Sequence, residues 1–277
     1  MSLTTFCIVL LGAALHATWN AIVKGGNDKL LTTALVAGAA ALLAMIALPF
    51  LPLPAPASWL CIAASTLFQI GYFILLARTY LIADMSQAYP LMRGTAPLIV
   101  AIAGVSFLRE SLAPLAWLGV LIICAGILGM AVTKRPGQSR GVSLALLNAV
   151  VIAGYTMIDG AGVRRSGTPA AYTLWIFLLT GIPLVLWAFV TRKWAFSRYV
   201  AMNWHYGIIG GFGTVASYGL ALWAMTQAPV TVISALRETS ILFGTIISGV
   251  VLKERVDRAR ITAACTIAAG AIALRLA

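Results

Sequence analysis

Charge is scarce in this sequence. Only 9% of its 277 residues are Asp, Glu, Lys or Arg, whereas soluble domains carry about 25%. Acidic residues number seven. The four cysteines, Cys7, Cys61, Cys124 and Cys265, each sit inside an apolar run and form no CxxC or CxxH pair. That argues against a disulfide framework or a metal site and leaves them as small apolar residues. No GxxxxGK[ST] segment is present, which excludes ATP driving through a P-loop on this chain. No HExxH or nucleophile motif supports an intramembrane enzyme, and no cofactor is indicated. The net charge of +12 comes without a basic stripe interleaved with aromatics, so nucleic acid is not the expected partner. The first apolar run has no Lys or Arg before it and is too long for a signal-peptide core, so it reads as a membrane span.

What the chain has in excess is apolar surface, with 61% hydrophobic residues. A single soluble core of this size cannot hide that much, so the solvent must be a lipid bilayer. A spanning helix needs about 20 apolar residues. Runs of that length lie at 3–23, 31–51, 59–79, 87–108, 112–132, 141–161, 170–190, 205–226, 229–252 and 259–276. The expectation is an all-α membrane protein with ten transmembrane helices and no sizeable soluble domain. The Pro-rich stretch from Pro49 to Pro56 should end the second span.

The polar linker around Lys134 to Arg140 divides the chain nearly in half. A shift of 144 residues superposes the halves without gaps from Leu76 onward. It places Arg93 on Arg237, Thr95 on Thr239, Glu110 on Glu254 and Ala125-Gly126 on Ala269-Gly270. Matches between charged residues carry weight because charge is so rare. The predicted units are 1–133 and 141–277, with five spans each. Five is odd, so the second unit enters the membrane from the opposite side. Two inverted five-helix repeats are a common transporter architecture, with the substrate site at their interface near the bilayer midplane.

The Lys and Arg residues favour the loops after odd-numbered spans, including Lys24, Lys29, Arg192, Lys193, Lys253 and Arg255. The positive-inside rule would put those loops in the cytoplasm and both termini outside.

Spans 4 and 9 end in Phe107-Leu108-Arg109-Glu110 and Val251-Leu252-Lys253-Glu254-Arg255, and the fifth span carries Cys124-Ala125-Gly126-Ile127, echoed by Ala268-Ala269-Gly270-Ala271. These endings look like the "L-x-E-R" ending of the EamA-like members of the drug/metabolite transporter superfamily, although Ser111 replaces the Arg in the first copy. Together with the doubled five-span unit, the chain resembles that family over essentially its whole length. The resemblance implies a basket of ten helices in a bacterial inner membrane. Spans 1, 3, 4, 6, 8 and 9 are expected to line a central cavity, with spans 5 and 10 at the periphery. It also implies efflux or exchange of small metabolites, often amino acids, with both termini in the cytoplasm.

An ionisable group near the bilayer centre costs about 2.5–3.5 kcal/mol on insertion scales and therefore turns toward the bundle interior. Four lie well inside apolar runs: Arg93, Asp159 and the adjacent pair Arg237-Glu238. Two symmetry-equivalent arginines near one cavity would make it electropositive. The guanidinium fork suits a carboxylate or phosphate of the substrate, or a gate. The structural alternative is an ion pair of Arg93 or Arg237 with Glu238 or Asp159. Glu238 or Asp159 could also carry a coupling proton.

Span 1 repeats polar residues every four positions, at His16, Asn20 and Lys24, flanked by Trp19, and this face should turn inward. A lone histidine here is as readily a helix contact. Gln69 and Tyr72 share a face of span 3, and Tyr89 opens span 4. Tyr155 stands four residues before Asp159 in span 6, and Tyr218 lies in span 8. Aromatics in bundles usually serve packing, but together these could line a pocket.

The leading expectation is a secondary transporter of a small organic metabolite such as an amino acid or other carboxylate. The alternative within transport is a multidrug exporter of lipophilic cations, which two core arginines oppose. The substrate, the direction and the choice between monomer and homodimer stay open at this stage.

Overall fold

The computed structural model describes residues 1–82, 85–131, 139–250 and 258–277. The second ending, Val251 to Arg255, and the central linker from Lys134 to Gln138 lie outside the described residues, as does the Lys24 side chain.

Helices dominate because apolar side chains are continuous and every backbone amide must be satisfied within its own segment in lipid. They are α1 (Leu3–Gly25), α2 (Lys29–Ala47), α3 (Trp59–Ile82), α4 (Met85–Phe107), α5 (Pro114–Ala131), α6 (Ser139–Ser166), α7 (Pro169–Met225), α8 (Val230–Arg237), α9 (Ser240–Val250) and α10 (Arg258–Leu276). No strand occurs among the described residues. Local chemistry sets several boundaries. The Ser2 hydroxyl accepts from the Thr5 amide at 3.1 Å and caps α1. The Asp28 carboxylate accepts from Leu30 and Leu31 at 3.0 and 3.1 Å and starts α2. Pro49 falls in a short 3-10 turn, Leu48–Phe50, that closes α2 as its sequence predicts.

Among the described residues, eight stretches are long and apolar enough to cross a membrane, and α5 supplies a shorter apolar helix, Pro114–Gly129. The chain is therefore a multi-pass membrane protein. Three of the apolar runs differ from the expectation of one helix each. The runs at 170–190 and 205–226 are both carried by α7. At about 1.5 Å per residue, its 57 residues would measure about 85 Å if straight, against an apolar core of about 30 Å. Non-helical dihedrals at Arg192 and Asn203 interrupt it. Between them, Phe196 and Tyr199 pack on Leu31 and Leu35 of α2, and the Tyr199 hydroxyl meets that of Thr32 at 2.7 Å. Conversely, the single run at 229–252 is split. Glu238 and Thr239 separate α8 from α9, and the Ile241 amide bonds to the Glu238 carbonyl, three residues back. The equivalent stretch of α4 stays continuous through Pro90 and Pro97.

The packing partners interchange between the halves. α3 packs on α6, as the second part of α7 packs on α1, and α4 packs on α6 as α9 packs on α1. α5 and α10 pack on each other through a glycine contact. A Cβ on Gly119 would lie 2.9 Å from the Gly270 carbonyl, and one on Gly270 would lie 2.8 Å from the Gly119 carbonyl. A side chain at either position would have to push two backbones apart.

Candidate functional site

The cavity of the bundle is lined from α1, α2, α3, α4, α6, both parts of α7, and α8. Its free space, open mouth included, is about 930 Å³. That bounds an occupant to a small molecule. Its walls reach toward the end of the bundle where α1 finishes, near Asn20, and where α2 and α4 begin, near Thr33 and Tyr89.

Of the residues singled out in the sequence, His16, Trp19 and Asn20 line this cavity from α1, and Gln69 and Tyr72 from α3. Tyr89 and Arg93 join from α4, Tyr155 from α6, Tyr218 from α7 and Arg237 from the end of α8. Asp159 and Glu238 do not line it; each sits behind a residue that does. α5 and α10 stay outside the lining. The expected set of lining helices is enlarged by α2, through Thr33, Val36 and Ala37, and by the first part of α7, through Phe177, Thr180, Gly181 and Leu184. The physical reason is close approach: a Cβ on Gly181 would lie 2.6 Å from the Ala37 carbonyl. With so little side-chain bulk between them, α2 and α7 form a wall of their own. Small hydroxyl residues in apolar runs give no sequence signal for this.

Arg93 and Glu238 form the central ion pair, one of the pairings left open by the sequence. The Arg93 Nε donates to Glu238 Oε2 at 3.0 Å, and Nη2 lies 2.9 Å from Oε1. Both residues are buried, at 7% and 5% exposure. The fork occupies both carboxylate oxygens, which offsets the desolvation of each charge.

Arg237 has no such partner. Under the 144-residue register, Arg237 corresponds to Arg93, but Glu238 corresponds to Gly94. The second arginine thus lacks the equivalent carboxylate. Among the described residues it forms no ion pair. Its guanidinium carbon instead lies 4.8 Å from the centre of the Tyr218 ring, within cation–π range.

Tyr218 passes the charge relationship outward. Its hydroxyl donates to Asp159 Oδ2, and the Tyr172 hydroxyl donates to Asp159 Oδ1 at 3.0 Å. Asp159 is fully buried, and two phenols satisfy its carboxylate. Tyr155 stands edge-on to both Tyr72 and Tyr218, with centroids 6.2 and 6.4 Å away. On α1 the Trp19 indole N–H donates to His16 Nδ1 at 3.2 Å, so the histidine proton sits on Nε2. The Asn20 amide donates to the His16 carbonyl at 2.8 Å. The Gln69 amide donates to Ser65 at 3.2 Å.

A second polar cluster, not anticipated as a unit, ties the end of the bundle that carries both termini. Arg109 adopts a positive φ of 53° and turns the chain back after α4. Glu110 then reaches α8, where Val230 and Thr231 amides donate to its two oxygens at 2.6 and 3.2 Å. Negative charge there suits the start of a helix. Arg164 of α6 meets Glu110 at 3.3 Å and donates to the Met225 and Ala228 carbonyls at 2.8 and 2.9 Å. One carboxylate and one guanidinium thereby join the ends of α4, α6 and α7 to the start of α8. Beside them, the Ala55 amide donates to the Ser166 carbonyl at 3.0 Å. The sequence signal for Glu110 was its place in the repeated ending. Arg164 gave none, being separated from its partners by 54 residues or more.

Comparison with known proteins gives three findings. The family model for EamA-like transporters matches residues 3–132 and again 139–276. A solved structure described only as a crystal structure of a protein is similar at 18% identity and a TM-score of 0.79, over 100% of this chain and 98% of that one; at that identity the likeness concerns the fold alone. No curated protein matches.

Proposed function

The chain belongs to the EamA-like transporter family, a family of membrane transporters and not of enzymes, and from that premise we propose that it is a secondary transporter, exporting or exchanging a small organic metabolite that presents an anionic group, such as an amino acid or other carboxylate. The observation that carries this reading is the pair of arginines, Arg93 and Arg237, on one aromatic-walled cavity. A cation in a low-dielectric wall is retained where it meets an anion. Trp19, Tyr72 and Tyr155 suit the apolar body of a metabolite.

Ten crossings fit this reading, with α7 contributing two and α5 one. Five in each half, over 1–133 and 141–277, make the halves an inverted repeat. The interchange of packing partners and the reciprocal Gly119–Gly270 contact support it. We place the protein in a bacterial inner membrane with both termini in the cytoplasm, and one-sided reporters fused to each terminus check the orientation. A proton is the candidate coupling ion, with Glu238 or Asp159 as its carrier. Transport unaffected by a pH gradient would remove that role.

A multidrug exporter of lipophilic cations would need an acid open to the cavity. Glu238 is engaged by Arg93, and Asp159 by two tyrosines. The decisive experiment is reconstitution in proteoliposomes with labelled metabolites. Saturable anion transport is expected, and it is lost in the double variant Arg93→Ala, Arg237→Ala. Full transport by that variant, correctly inserted, would sink the reading.

A further inference from the structure

The charges around the cavity do not balance in the way a zwitterion requires. A free amino acid brings a carboxylate and an ammonium close together, and a site for it needs a cation and an anion side by side. This cavity presents the first without the second. Arg237 has no ion-pair partner among the described residues. Both oxygens of Glu238 face Arg93, and Asp159 is fully buried behind Tyr218 and outside the lining.

The neutral groups do not substitute for a missing anion. His16 Nδ1 already accepts from Trp19, so its other nitrogen is a donor and would oppose an ammonium. The face of Tyr218, a natural seat for a cation, is taken by Arg237. An ammonium placed here would lose its water with no charged partner and stand near a guanidinium, and such losses dominate discrimination between related ligands. The rest of the wall mixes apolar Phe73, Phe177 and Leu184 with the amides of Asn20 and Gln69 and the phenols of Tyr72, Tyr89 and Tyr155, all uncharged, so it gives an ammonium dipoles but no counter-charge. One hydroxyl, that of Thr180, is buried without a hydrogen-bond partner among the described residues while its residue lines the cavity.

Resting on the anion-transport reading above, we propose that the substrate is a carboxylate without an ammonium group, such as a 2-hydroxy, 2-oxo or N-acylated acid, bound by Arg237 in a cavity that rejects the free amino acid. Arg93, locked to Glu238, holds the wall and does not bind the substrate.

The test uses matched compounds on one carbon skeleton, presented to the full-length protein in proteoliposomes. The pairs are 3-phenyllactate with phenylalanine, and 2-hydroxyisocaproate with leucine, with 2-phenylethylamine and glycerol 3-phosphate as further arms. At least one hydroxy acid should be transported tenfold or more faster than its amino acid. That transport should disappear in Arg237→Gln and return in part in Arg237→Lys, the second variant guarding against a folding defect. Amino acids carried as fast as their hydroxy acids, or the phosphate carried best, would overturn this inference and leave the anion reading intact. Transport of the amine alone, or of none of the acids, would remove both. Hydroxy-acid transport that persists in Arg237→Gln would overturn the assignment of Arg237.

Discussion

Glu238 closes on Arg93 with both oxygens, at 2.9 and 3.0 Å, while Arg237, its neighbour in sequence, is turned to the face of Tyr218. Consecutive residues on a helix point about 100° apart. Here that angle divides two arginines related by the repeat into one that is neutralised and one that is not.

That division predicts opposite phenotypes for the two arginines. Removing one partner of a buried ion pair costs about 3–5 kcal/mol, because the other charge is left stranded. Arg93→Ala and Glu238→Ala should each lower thermal stability strongly. Replacing both residues with neutral ones of similar volume should restore much of it. Arg237→Gln should leave stability nearly unchanged and abolish anion transport. Melting curves measured beside transport rates check both; equal destabilisation by Arg93→Ala and Arg237→Gln would contradict the division.

Glu110 gives a second prediction. Loss of a helix-capping side chain typically costs about 1 kcal/mol, and Glu110 also holds Arg164. Glu110→Ala should therefore cost about 1–2 kcal/mol and loosen the end of the bundle that bears the termini. Single cysteines placed near Ala228 should react faster with a membrane-impermeant thiol reagent in that background. Unchanged reactivity and stability would mean that the contacts hold nothing together.

The α5–α10 contact gives a third. Gly119→Leu or Gly270→Leu should separate the two helices and reduce the yield of folded protein, since each Cβ would meet a backbone oxygen within 3 Å. Gly129, with no atom within 4 Å of an added Cβ, should accept alanine without penalty. Folded yield in detergent, read by size-exclusion chromatography, distinguishes them.

The polar framework around the candidate cavity was largely legible because charge is so rare in an apolar chain. Arg93, Arg237, Glu238 and Asp159 could only face inward, and the 144-residue register paired the arginines. The periodic polar face of α1 announced His16 and Asn20. The sequence could not show which acid Arg93 would choose, since Glu238 and Asp159 were chemically equal candidates and only the fold sets their distances. Thr33 and Thr180 were invisible because a hydroxyl in a membrane helix commonly bonds its own backbone. The break at Glu238–Thr239 carries no proline or glycine, whereas α4 holds two prolines and stays continuous. The helix count was blurred for a related reason: residues 192–203 are polar and aromatic enough to end a span, yet only Arg192 and Asn203 leave helical dihedrals and the stretch between them stays helical.

The lone carboxylate of the central pair has one more consequence. A carrier made of two interchangeable halves could rest with equal ease facing either side of the membrane, because each state would be the other with the roles exchanged. Glu238 against Gly94 removes that equivalence. If the halves form the proposed inverted repeat, they bring unequal partners to its axis, whatever motion exposes the cavity to one side and then the other. On this reading the empty carrier has a preferred resting face, and binding of an anion at Arg237 alters that preference.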